Sequence, residues 1–156
     1  MKNILLVLLA FVTVANTVPA AFGLSVPVKL RQSKLKMKVE VSPQANDNNP
    51  VAFDLVLVTD KMLLEELGKI SASDWFENRN QYRLDYPEET GLSAGSWEWV
   101  PGQVVVLEPI TVKREIVGGV IFANYFTPGE HRAVIDPRKS FAVTLGAESF
   151  TVRLEK

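Results

Sequence analysis

Gly91-Leu92-Ser93-Ala94-Gly95 matches the G-x-S-x-G pattern, in which a serine on a sharp turn is activated by a histidine further along the chain. His131 does follow it, with Glu98, Glu108 and Glu115 between. The chemistry would be acyl transfer, but a nucleophile elbow requires a buried strand before the serine and a helix after it. Here Tyr86-Pro87-Glu88-Glu89-Thr90 precedes and Trp97-Glu98-Trp99 follows, so the segment reads as a loop. His131 is the sole histidine and sits in turn-like Pro128-Gly129-Glu130-His131-Arg132, which makes it a surface or packing residue. Glu65-Glu66 and Glu88-Glu89 are adjacent pairs; neighbours on a helix face apart, so these read as solvated charge. The cluster Asn46-Asp47-Asn48-Asn49 has the residue types of a calcium loop without its central glycine and closing glutamate.

The chain contains no cysteine, which excludes disulfides, thiolate metal sites, thiol nucleophiles and lipid attachment through sulfur. No catalytic residue, cofactor or metal site is expected, and the chain reads as non-enzymatic. With a net charge of −1, no global field draws it to nucleic acid. Its main charge asymmetry is the basic run Lys29, Arg31, Lys34, Lys36 and Lys38. On the outer face of a strand such lysines are usually solvated and discourage edge-to-edge pairing. Their place close behind an apolar N-terminus also suits contact with an anionic membrane. Aromatic residues are not interleaved with them, which disfavours nucleic acid again.

Residues 1–23 have the layout of a secretory signal peptide: Lys2, an apolar run from Ile4 to Ala15 broken only by Thr13, then Asn16, Thr17 and Pro19. Small residues at Val18-Pro19-Ala20 or Ala21-Phe22-Gly23 would suit cleavage. The alternative is an uncleaved N-terminal anchor, since Ala20 to Leu24 is apolar again. Residues 24–156, at 133 positions enough for one core, are expected to form a single domain.

Strand signals dominate that domain. Lys34 to Val41 alternates strictly, with Leu35, Met37, Val39 and Val41 on one face, so one half-buried strand is expected there. Ser42 to Pro50 is rich in turn formers and predicts a polar, exposed loop. Val51 to Thr59 is apolar on both faces, which predicts a central strand. Lys61 to Leu67, stopped by Gly68, and Ser73 to Asn80, capped by Ser71 or Ser73, read as short helices. Gln81 to Ser96 reads as loop. Trp97 and Trp99 share a strand face, Pro101-Gly102 makes a turn, and Gly118-Gly119 marks a bulge or close backbone approach. Further strands are expected at Gln103 to Leu107, Ile110 to Lys113 and Ile116 to Phe126. Phe141 to Leu145 and Phe150 to Leu154 form a closing hairpin. About seven short strands between turns predict an all-β sandwich.

The order of these features resembles a known family. Asn48-Asn49-Pro50-Val51 opens a strand and a helical Ser71 to Phe76 follows. Trp99-Val100-Pro101-Gly102-Gln103, Val117-Gly118-Gly119-Val120-Ile121-Phe122-Ala123-Asn124-Tyr125-Phe126 and His131-Arg132-Ala133-Val134 complete the order. Together these resemble the TssJ family, outer-membrane lipoproteins of the bacterial type VI secretion system. The resemblance spans roughly Leu35 to Lys156. It implies a transthyretin-like β-sandwich with a short helical insertion, located in the periplasm and associated with the outer or inner membrane. It also implies a non-enzymatic role in binding the periplasmic part of the TssM inner-membrane protein. In that family the loop after the first sandwich strand meets TssM, which implies Gln44, Ala45, Asn46, Asp47, Asn48 and Asn49 here.

Two features depart from the family pattern. Members carry a lipobox cysteine after the leader, absent here, and Phe126 followed by Thr127 stands where the family's Tyr-Arg-Asp places arginine. An apolar N-terminus kept as anchor, or a soluble periplasmic form, would accommodate the first. Two other functions share parts of this pattern. A transthyretin-like hydrolase would need several histidines and is nearly excluded by the single one. An unrelated periplasmic sandwich acting as pilotin, chaperone or inhibitor predicts the same leader and strands.

Overall fold

A computed structural model describes residues 32–155. The expected leader, and Lys29 and Arg31 of the basic run, lie outside the described residues. Apolar residues at every second position build the strands, and their partners sort them into two four-stranded sheets and a small two-stranded one. The alternating segment does not form one strand. It breaks at Lys36 into β1 (Ser33–Leu35) and β2 (Met37–Val41), which pair in different sheets. The face assignment nevertheless holds, since Leu35, Met37, Val39 and Val41 are all buried.

β3 (Val51–Val58) is central, as its two apolar faces predict. It lies between β4 (Leu92–Trp99) and β7 (Gly118–Asn124), with β8 (Arg132–Ile135) at the far edge of the sheet. The facing sheet runs in the order β10 (Phe150–Leu154), β9 (Phe141–Leu145), β2, β5 (Val104–Val106). β1 pairs with β6 (Ile110–Val112). Ten strands are thus present among the described residues rather than about seven; the short edge strand β8 is a further one, with no strong alternation to announce it.

The core between the sheets holds Leu35, Met37, Val39, Phe53, Leu55, Ile121, Phe141 and Val143, with Trp99 at its margin. The opposite face of β3 and β7 carries Val56, Val58, Val120 and Phe122, and two helices cover it. The first, α1 (Lys61–Leu67), starts where the Asp60 side chain accepts from the Leu63 amide and ends at Gly68, as expected. The second, α2 (Ala72–Asp85), is capped by Ser71, whose hydroxyl accepts from the Asp74 amide while Asp74 reaches back to the Ser71 amide.

The expected loop from Gln81 to Ser96 is confined to residues 86–91. α2 continues to Asp85, and β4 begins at Leu92. The extra helical turns persist because Tyr82 packs against Trp75 at 5.6 Å and Tyr86 against Tyr82 at 6.3 Å. Glu66, expected as solvated charge, accepts a hydrogen bond from the Tyr82 hydroxyl at 2.9 Å. Burial and that glutamate push the phenol of Tyr82 up to about 12.

The helix layer is pinned to the sheet by one buried carboxylate. Asp54 on β3 is fully buried and accepts from Trp75 Nε1 at 2.9 Å and from Arg79 Nη1 at 3.1 Å. Trp75 also stacks on Phe122 of β7, with rings 5.0 Å apart and nearly parallel. The close approach expected at Gly118-Gly119 is present: a Cβ on Gly118 would fall 2.4 Å from the Leu64 side chain of α1.

Candidate functional site

The strand registers bring four connections to one end of the sandwich. β2, β9, β7 and β4 all end there, so residues 42–50, 146–149, 125–131 and 100–103 lie together. Their conformation is fixed by side chains of unusual backbone geometry. Asn46, Asp47 and Asn48 are consecutive residues with positive φ, at 47°, 54° and 58°. A left-handed backbone costs an L-residue roughly 1–2 kcal/mol, least for Asn and Asp, which can bond nearby backbone groups. That tolerance explains the Asn-Asp-Asn composition without any metal.

Asn46 is the clasp of this end. Its Oδ1 accepts from the Phe126 amide at 2.7 Å, and its Nδ2 donates to the Pro50 carbonyl at 3.0 Å. Its own amide donates to the Ala147 carbonyl at 2.9 Å. One residue therefore joins three connections that are far apart in sequence. The Tyr125 hydroxyl adds bonds to the carbonyls of Gly146 and Ser149, and burial holds its proton well above the ordinary phenol range. Thr127 Oγ1 donates to the Glu148 carbonyl at 2.7 Å. His131 packs on the Tyr125 ring at 4.9 Å, with Nε2 2.8 Å from the Thr127 carbonyl oxygen, a packing role as expected.

The six residues implied as a contact surface therefore divide. Gln44, Asp47 and Asn48 are exposed and Asn49 is half-buried, whereas Ala45 and Asn46 are buried. The loop is not uniformly exposed: Ala45 and Asn46 position the surface and cannot themselves touch a partner. Phe126, 74% exposed, stands beside the loop. An open recess of about 610 Å³ lies between them, lined by Gln44, Asp47, Asn48, Phe126, Pro128 and Glu148, among others. Sequence reading does not reach Phe126 and Glu148 as members of this surface. The available signal is an aromatic residue placed between Tyr125, which faces inward, and the turn at Pro128-Gly129.

The other candidates separate. Ser93 pairs with Leu57, while the His131 carbonyl bonds the Ala123 amide opposite Phe53. Four steps of β3 lie between, roughly 13 Å at the usual strand rise, so no serine–histidine pair exists. The motif lies on β4, not in a loop, and its glycines serve packing. A Cβ on Gly95 would lie 2.5 Å from the Trp97 ring, and one on Gly91 would lie 2.6 Å from Tyr86. Among the described residues no group of three acidic, histidine or cysteine side chains could hold a metal ion. Of the basic run, Lys34 donates to Thr111 and Lys38 pairs with Glu40, so Lys36 alone of these three has no side-chain partner among the described residues.

No family model matches the chain, and no curated protein matches it in sequence. Solved structures do. The type VI secretion lipoprotein TssJ1 of Pseudomonas aeruginosa superposes with a TM-score of 0.65 at 13% identity, covering 81% of this chain and 98% of that one. The fold is that of the TssJ lipoproteins. Serratia marcescens Lip, a membrane-bound component of the type VI secretion system, shares it with a TM-score of 0.59 at 13% identity, over 80% of this chain and 98% of Lip. A chain of a type VI membrane complex matches with a TM-score of 0.60 at 11% identity, over 79% of this chain and 99% of its own length. In this chain α1 and α2 stand between β3 and β4, as the helical insertion expected of such a sandwich.

Proposed function

We propose that this chain is a non-enzymatic structural component of a type VI secretion envelope complex and binds the periplasmic part of a TssM-like inner-membrane protein. The observation that carries this reading is the pre-built end of the sandwich, where Asn46 locks three connections and presents Gln44, Asp47 and Asn48 to solvent. A surface already held in one conformation loses little entropy on binding. Likeness to type VI lipoproteins over nearly their full length supports the same assignment. The chain acts in the periplasm, exported by its signal-peptide-like N-terminus, which would hold it near a membrane where it is kept as an anchor. Lys36 and the neighbouring basic residues add a modest attraction to anionic lipid.

The test is co-purification from solubilised envelopes of the native host. The full chain should recover the TssM-like protein, and a variant with residues 44–49 replaced by Gly-Ser repeats should not. Recovery of no TssM-like protein by the unaltered chain overturns the partner. Equal recovery by both overturns the assignment of the loop.

A further inference from the structure

The surface at the loop end has more chemistry than the 44–49 segment. Residues 42–50, 100–103, 125–131 and 146–149 include Asp47, Glu130 and Glu148 and not one lysine or arginine. Glu130 is neutralised by its ion pair with Arg132, which leaves Asp47 and Glu148 facing solvent around the recess. Besides polar Gln44, Asn48 and Thr127, the lining includes an apolar portion made by Phe126 at 74% exposure, Pro128 and Ala147. An exposed phenyl ring is costly in water and adds nothing to the core. Its amide, meanwhile, is held by the buried Asn46 at 2.7 Å, so the backbone that carries it is held in place.

We propose that this recess receives an arginine or lysine side chain of the protein partner, with Phe126 as the aromatic anchor of the interface. The aliphatic stem would lie on the Phe126 ring and Pro128, and the cationic head would meet Asp47 and Glu148 at the rim. That arrangement satisfies a long amphipathic side chain at both ends: apolar stem on apolar surface, charge beside carboxylates and ring face. It also fits the general pattern of interface energetics, where a few aromatic and arginine contacts dominate. The inference rests on the partner assigned above and adds to it two residues outside the 44–49 loop, together with the charge of the group they recognise.

The test is an equilibrium titration of the purified full chain with the periplasmic domain of the TssM-like protein from the same genome. Phe126→Ala should weaken binding about thirtyfold, the scale of an interface hot spot. Asp47→Lys combined with Glu148→Lys should weaken it at least about tenfold, and raising salt should weaken the native pair through slower association. All three side chains are exposed; Phe126→Ala should keep the native thermal midpoint, while lysine at the left-handed position 47 should lower it. Asp47→Asn with Glu148→Gln, which keeps that backbone and removes both charges, should therefore show the weakened binding at the native midpoint. Binding by Phe126→Ala within twofold of native, or unchanged binding after charge reversal, overturns this proposal while leaving the partner intact. Absence of binding by the native chain overturns the partner, and the proposal with it.

Discussion

Asp54→Ala should lower the free energy of unfolding by about 3–5 kcal/mol, read as a fall in the urea midpoint with little change in slope. The size follows from what is left behind. Asp54 is fully buried at the middle of the central strand β3, and the donors aimed at it are Trp75 Nε1 and the Arg79 guanidinium. Without the carboxylate, a buried indole N–H and a half-buried cation lose their acceptor, while nothing refills the space. Asp54→Asn keeps an oxygen for Trp75 but forfeits the charge, so it should cost less than alanine. A loss below about 1 kcal/mol for alanine would show that water or a rearranged Arg79 replaces the carboxylate, and the pinning role would be wrong. The effect should reach the loop end, since the first residue of α2, Ala72, donates its amide to the Glu130 carbonyl at 2.8 Å.

Asn46→Ala should cost about 2–4 kcal/mol and should also abolish binding of the TssM-like domain. Two penalties add: the Phe126 amide loses its acceptor in a buried setting, and alanine must adopt a left-handed backbone without a side chain that compensates it. Asn46→Asp separates them. Aspartate tolerates the same backbone and still accepts from Phe126, but it cannot donate to the Pro50 carbonyl, so an intermediate loss is expected. Wild-type binding by Asn46→Ala at unchanged stability would mean that the three connections hold their shape without the clasp. Global unfolding profiles distinguish a locally loosened end from a destabilised sandwich.

Much of the sandwich is legible in the sequence because burial leaves period-two marks. Leu35 to Val41 declares which face meets the core, Val51 to Val58 declares a strand covered on both faces, and the hairpin strands Phe141–Leu145 and Phe150–Leu154 have the expected bounds. Where packing rather than pattern decides, reading fails. Tyr82 packs on Trp75 and Tyr86 on Tyr82, pairs seven and four positions apart that extend α2 through a stretch whose polar composition hides them. Lys36 looks like any outward residue of a continuous strand, yet the chain changes sheets there.

The site divides along the same line. The Asn-Asp-Asn run announces a loop with special backbone, but it does not announce that Asn46 is buried and bonded to a residue 80 positions away. Polar composition suggests exposure for all six residues, but packing buries Ala45 and long-range hydrogen bonding buries Asn46. Likewise the G-x-S-x-G pattern draws attention to Ser93, while Gly91 and Gly95 turn out to make room for Tyr86 and Trp97.

Hydrogen–deuterium exchange of the full chain, alone and saturated with the TssM-like periplasmic domain, tests most directly that the loop end is the docking surface. Added protection is predicted in peptides spanning residues 44–49, 125–130 and 146–149, with the outer face of the β10-β9-β2-β5 sheet unchanged. Protection confined to that sheet, or to the helices α1 and α2, with the three connections exchanging as in the free chain, would contradict it.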